Sequence, residues 1–257
     1  MSKPVIGAQL YTLRDFCKTA DDLARTLVKV RKIGYTAAQV SGIGPIDPAE
    51  VAKAAKNAGV AICATHMGWN RFLHDLDRVI DEHRMWGCKH AAIGGLPPAE
   101  YLHAAGVARF LDELAPIAAK LSDAGMDFSY HNHSNELALF EGRTWLGRLY
   151  ETAKPEMLKA EIDTYWIQAG GGDPADWVRK CAGREPLLHL KDMCVLPDRT
   201  QRYAPIGAGN LNWSAIFREA EAGGVEFALV EQDQCYEANP FEALTASYLN
   251  LRAFGYE

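Results

Sequence analysis

The stretch Tyr130-His131-Asn132-His133-Ser134-Asn135-Glu136 places two of the chain's eight histidines beside a carboxylate. Farther along, Asp163, His189 and Glu231 each stand at or near the end of a short, largely apolar run. Imidazole nitrogens and carboxylate oxygens in combination are donors for one divalent ion of the Mn, Mg, Co, Fe or Zn kind. Taken singly these residues are weak signals. A lone Asp at a strand end is often a turn former or helix cap, and a lone His between leucines is often a hydrogen-bonded core residue. Glu231 is harder to explain that way, because after Phe-Ala-Leu-Val an unpaired buried carboxylate would be costly. The joint occurrence points to a metal near the exit of the 130–136 stretch.

For residues so far apart in sequence to meet, the chain must bring many strand ends to one place. Short apolar runs and amphipathic helical stretches alternate throughout. Strands are expected at Val5 to Leu10, Tyr35 to Val40, Val60 to Thr65, Lys89 to Ile93, Met126 to His133, Leu158 to Asp163, Leu187 to Leu190 and Phe227 to Glu231. Helices are expected between them, for example from Thr19 (cap) to Gly34 (stop), from Asp47-Pro48 onward, from about Arg71 to Trp86, within Glu100 to Asp123, and from Pro240 to Phe254. Each gap fits one helical crossover between parallel strands, and no linker interrupts the 257 residues. The pattern predicts a single (β/α)8 TIM-barrel domain over residues 1–257.

In such a barrel the carboxyl ends of the strands converge on one face. The polar residues there would be Gln9, Gln39, His66, His131, His133, Asp163, His189, Lys191, Glu231 and Asp233. His74, His83 and His103 fall in helical, mixed-polarity stretches and are expected to be solvated, while His90 starts a strand at the opposite end. The segment from Asp192 to Asn212, rich in Gly and Pro, is expected to form a loop over the site.

Composition narrows the functional classes. With 48% apolar and 23% charged residues the chain is an ordinary globular protein. A net charge of −6 argues against a nucleic-acid partner. No apolar run is long enough for a membrane span, and the start of the chain lacks a signal-peptide core, so the expected location is the cytoplasm. The six cysteines include no Cys-x-x-Cys pair and are expected to be free and mostly buried. A homo-oligomer is left open.

Five motifs in order, Tyr130-His131-Asn132-His133-x-x-Glu136, Glu161-Ile162-Asp163-Thr164-Tyr165-Trp166, His189-Leu190-Lys191-Asp192-Met193, Tyr203-Ala204-Pro205-Ile206-Gly207-x-Gly209 and Val230-Glu231-Gln232-Asp233, resemble the xylose isomerase-like sugar phosphate isomerase/epimerase family. The resemblance implies one divalent metal on strands five to eight, carried here by Asp163, His189 and Glu231. Many relatives place a glutamate on the fifth strand where this chain has His131 or His133, so Glu136 is expected as the remaining ligand. It also implies an isomerase or epimerase acting on a sugar, keto-sugar or inositol derivative through an enediolate. A dehydratase on the same site is the alternative; an abasic-site endonuclease and a non-catalytic sugar-binding barrel are more distant ones. His133 or His131 would be the base, with Glu231 and Lys191 as further catalytic groups. Gln9, His66, Trp69, Tyr165, Trp166 and Arg202 are expected to contact the substrate.

Overall fold

The computed structural model describes residues 3–256. Eight parallel strands, β1 (Val5–Gln9), β2 (Ala37–Val40), β3 (Ala61–His66), β4 (His90–Ile93), β5 (Asp127–His131), β6 (Lys159–Asp163), β7 (Leu187–Leu190) and β8 (Phe227–Val230), form a closed barrel. Closure comes from β1, which pairs with β2 on one side and β8 on the other, in the registers Gly7–Ala37 and Gly7–Leu229.

The alternation of side chains along a strand explains where polarity falls. In Gly7/Gln9, Ala37/Gln39, Leu187/His189 and Leu229/Glu231 a small or apolar residue is followed two places later by a polar one. Ala37, Cys63, Ala64, Leu187 and Leu229 make a compact apolar cluster inside the barrel, separate from the large core between strands and helices. Each polar partner therefore stands one layer above an apolar floor. Space in that floor is tight, since a Cβ on Gly7 would come within 2.7 Å of Leu229 Cδ2.

The helices follow their capping signals. In α1 (Ala20–Ile33) the Thr19 hydroxyl accepts from the Asp22 N–H, and the Asp22 carboxylate accepts from the Thr19 N–H. In α2 (Pro48–Ala58) the Asp47 side chain caps Ala49. The helix expected from Arg71 to Trp86 is two, α3 (Trp69–His74) and α4 (Leu76–Trp86), broken where Asp75 leaves helical geometry at φ −141°. No helix among the described residues is long and apolar enough to cross a membrane.

Two further readings of the sequence are corrected. His83 is buried, not solvated: its ring lies 2.8 Å from Thr65 Oγ1 and 2.7 Å from the Val79 carbonyl. The surface of α4 that looked mixed in polarity packs against β3, and the imidazole is satisfied there. The segment after β7 is more than a loop, because Asp192–Val195 and Gln201–Ala204 pair as an antiparallel ribbon. Its hub is the buried Asp192 carboxylate, which accepts from the N–H groups of Met193, Gly207, Gly209 and Leu211 and from Trp213 Nε1. Gly209 is required there, since a Cβ would lie 2.4 Å from Asp192 Oδ1. The cysteines are free as expected, with Cys17, Cys63, Cys88 and Cys181 buried.

Candidate active site

At the carboxyl end of the barrel, β5 to β8 deliver four buried donors, His131, Asp163, His189 and Glu231, one ligand atom from each lying within 4.8 Å of the others. His131 Nε2 is 3.1 Å from Asp163 Oδ2, and His189 Nδ1 is 2.9 Å from Glu231 Oε2. Asp163 divides its labour. Oδ1 accepts from the Trp166 N–H and so caps the short helix Thr164–Ala169, while Oδ2 faces the cluster. The cap reading and the ligand reading of this residue are thus compatible.

Lys191 emerges just past β7 and is buried among carboxylates. Its Nζ lies 3.0 Å from Asp163 Oδ2, 2.9 Å from Glu231 Oε2 and 3.0 Å from Asp233 Oδ1. Against the desolvation that burial imposes, these carboxylates hold its pKa well above the usual lysine value. The same cation, again working against burial, keeps the Asp163 and Glu231 carboxyls low. Asp233 is raised to about 6, first by burial and then by Glu231.

Beneath this layer sits Glu161, two residues before Asp163 on the inward face of β6 and fully buried. It accepts from Gln39 Nε2 at 2.7 Å, lies 3.0 Å from His66 Nε2 and lies 2.9 Å from His189 Nε2. Burial works against the charge on His189, yet Glu161 and Glu231 on either side raise its pKa to about 10. His131 and His133 behave oppositely. Burial and then the neighbouring His189 lower His131 to about 4, and burial followed by His131 and Lys191 lowers His133 to about 3. Both are neutral imidazoles at neutral pH, with a lone pair to offer.

The residues present fit a divalent metal. Two imidazoles and two carboxylates are a chemically suitable donor set. His131 Nδ1 is buried without a hydrogen-bond partner, so the ring is not fully committed to protein contacts. Glu161, Asp163, Glu231 and Asp233 outnumber the Lys191 ammonium and the protonated His189, so an excess of negative charge remains that a dication would offset, and a metal held by His189 would take the place of that ring's proton.

Several residues expected at the site are placed elsewhere. Glu136 is buried, but its Oε1 accepts from the Tyr130 hydroxyl and its Oε2 from the His133 N–H, both at 2.9 Å, and it does not join the four-donor cluster. The reason is chain geometry: β5 stops at His131, and Glu136 lies beyond it in a short helical turn. Gln9 is buried and donates to Gln39 below the mouth. Trp69 belongs to the core, donating to the Tyr101 hydroxyl and packing on Phe110. Arg202 stacks on Tyr236 out on the ribbon, its guanidinium carbon 3.6 Å from the ring centroid. Tyr165 stacks on Tyr203 at 4.3 Å, behind the pocket wall.

His66, His131, His133, Trp166, Lys191 and Glu231 do line one pocket of about 600 Å³ at the barrel mouth. Tyr203 and Asp233 join them. Tyr11 and Arg14, which also line the pocket, and Glu161 beneath it were missed as site components; for Glu161 the signal was present, since it shares period-two alternation, and hence an inward face, with Asp163.

The fold and this mouth define a (β/α)8 barrel of the class that gathers chemistry at its strand ends. Residues 27–234 match the family described as xylose isomerase-like TIM barrel, and the chain belongs to that family. A curated relative is the inosose dehydratase of Geobacillus kaustophilus (strain HTA426), 22% identical over 201 residues; the match covers 66% of this chain and 61% of that protein. A sugar phosphate isomerase/epimerase from Parabacteroides distasonis ATCC 8503 has a similar structure, with a TM-score of 0.80, 21% identity and coverage of 98% of this chain and 95% of that one. An L-ribulose 3-epimerase structure is similar at a TM-score of 0.73 and 17% identity, over 99% of this chain and 94% of that one.

Proposed function

We propose that the chain is a divalent-metal-dependent isomerase or epimerase of a sugar, keto-sugar or inositol derivative, working through an enediolate. The observation that carries this is the cluster of His131, Asp163, His189 and Glu231 at the edge of a pocket that also exposes a second, uncommitted imidazole, His133. These four residues would hold the metal, which when bound supplies Lewis-acid polarisation of a carbonyl and its neighbouring hydroxyl.

The protein's own groups do the rest. His133, neutral and outside the cluster, takes the proton from the carbon next to the carbonyl. The Glu136 carboxylate holds the His133 backbone N–H and so fixes where that ring stands. The Lys191 ammonium faces the negative charge that develops on the substrate oxygens. Trp166, 5.2 Å from the His133 ring, and Tyr203 offer apolar faces to a sugar ring. Return of the proton by His133 to the neighbouring carbon is isomerisation, whereas epimerisation needs a proton delivered to the original carbon from the opposite face by a second acid, a part Glu231 would take.

Dehydration of a keto-sugar or inosose, by loss of a β-hydroxyl, is a second outcome of the same proton abstraction, and the curated relative's name favours keeping it in view. The test is incubation of the metal-loaded protein in D2O with a panel of sugars, keto-sugars and inosose. Deuterium should enter one substrate carbon, and His133→Asn should slow entry by roughly 10²–10⁴-fold. Absence of exchange across the panel would refute the reading.

A further inference from the structure

The mouth pocket continues sideways. Ser41, His66 and Met67 line it and also line a second hollow of about 560 Å³, between the loop after β2 and the helices after β3. A pocket of roughly 300–1,000 Å³ suffices for a whole drug-sized ligand. The mouth alone, at about 600 Å³, therefore accommodates a monosaccharide, and the second hollow is room for another ring.

The walls of this hollow differ in character. One is apolar, built from Ile43 and Ile46 in the loop after β2 and Val51 on α2. The other carries Arg71 and Arg78 around the buried Glu82. Arg71 donates to Glu82 through Nη1 at 2.8 Å and Nη2 at 3.1 Å and reaches Asp75 at 3.0 Å. Arg78 Nε lies 3.3 Å from Glu82. Two carboxylates balance two guanidinium groups, so the wall presents fixed hydrogen-bond donors without net positive charge. That suits neutral hydroxyl groups better than a phosphate. An apolar face opposite a polar edge is the complement of a sugar ring, whose C–H face and hydroxyl rim are likewise segregated.

We propose that this hollow is a subsite for a second ring and that the substrate is a glycoside, with its linking bond passing Ser41, His66 and Met67. The inference rests on the carbohydrate reading above and names the substrate class for it. The experiment is calorimetric titration of the metal-loaded protein with matched pairs: glucose against maltose and cellobiose, galactose against lactose. At least one disaccharide should bind about tenfold more tightly than its monosaccharide. Ile43→Trp and Val51→Phe, which fill the hollow from two positions, should each abolish that advantage and leave monosaccharide binding unchanged. Two fillers keep the test informative if one fails to fold. Equal binding within every pair, or an advantage that survives both fillers, overturns the subsite. Hydrogen exchange in D2O on the same compounds separates the two proposals. Preferred disaccharide binding without exchange would keep the subsite and sink the enzymatic reading, whereas exchange confined to monosaccharides would do the reverse.

Discussion

Lys191→Met is the perturbation whose outcome follows most directly from the geometry. The ammonium is buried and lies within 3.0 Å of oxygens of Asp163, Glu231 and Asp233. Removing one partner of a buried ion pair leaves uncompensated charge and costs about 3–5 kcal/mol. In a chain of this size each kcal/mol moves the melting temperature by roughly 2–4 °C, so the metal-free variant should melt roughly 6–20 °C below the wild type. The oxygens that Lys191 touches on Asp163 and Glu231 belong to residues of the proposed metal cluster, so ammonium and dication compete for the same charge. Excess Mn²⁺ should therefore raise the variant's melting temperature more than the wild type's. Calorimetry should find Mn²⁺ bound at least about tenfold more tightly, the equivalent of about 1.4 kcal/mol. Thermal melts of chelator-treated and Mn²⁺-loaded protein, with titration of the metal, make the test. A metal-free variant that melts within about 2 °C of the wild type, or one that binds Mn²⁺ more weakly, would refute the argument that Lys191 neutralises this cluster.

Two further outcomes are expected. Glu136→Gln should leave Mn²⁺ affinity unchanged in calorimetry, because Glu136 holds Tyr130 and the His133 backbone, whereas His131→Ala should weaken it by about tenfold or more. Glu185, buried with Oε2 unpaired, has its carboxyl pushed well above the ordinary 4.5 by burial. A raised carboxyl disfavours the ionised form, so its cost is present above the unfolded value and fades as pH falls through it. Glu185→Gln should accordingly raise the melting temperature at pH 7 to 8, with the gain shrinking as pH approaches 4.5.

The strand-and-helix alternation, the capped starts at Thr19 and Asp47, and the gathering of Asp163, His189 and Glu231 were legible in the chain because each depends on local signals. Caps need only neighbours within four residues, and a strand's inward face follows from period two once one inward residue is known. That rule also contained Glu161, two places before Asp163, and the pairing of apolar floor with polar roof in Leu187/His189 and Leu229/Glu231.

What lay beyond the sequence depended on where a strand stops and on what stands across from each side chain. His131, His133 and Glu136 all offer a donor on paper, and the resemblance favours Glu136. The end of β5 at His131 puts that ring into the cluster and leaves Glu136 to the loop's own backbone. Trp69 and Gln9 have the same residue types as true pocket groups, yet Trp69 faces Phe110 in the core and Gln9 is spent on Gln39. The charge states are tertiary as well. His131 and His189 have the same intrinsic chemistry, but His189 is flanked by Glu161 and Glu231, whereas His131 is buried beside that cation. Burial and Coulomb energy are set by neighbours remote in sequence. The chain itself therefore specified that imidazoles and carboxylates gather at the barrel mouth, and only the packing of eight strand ends decided which of them form the four-donor cluster and which pair with Lys191 or support the loop.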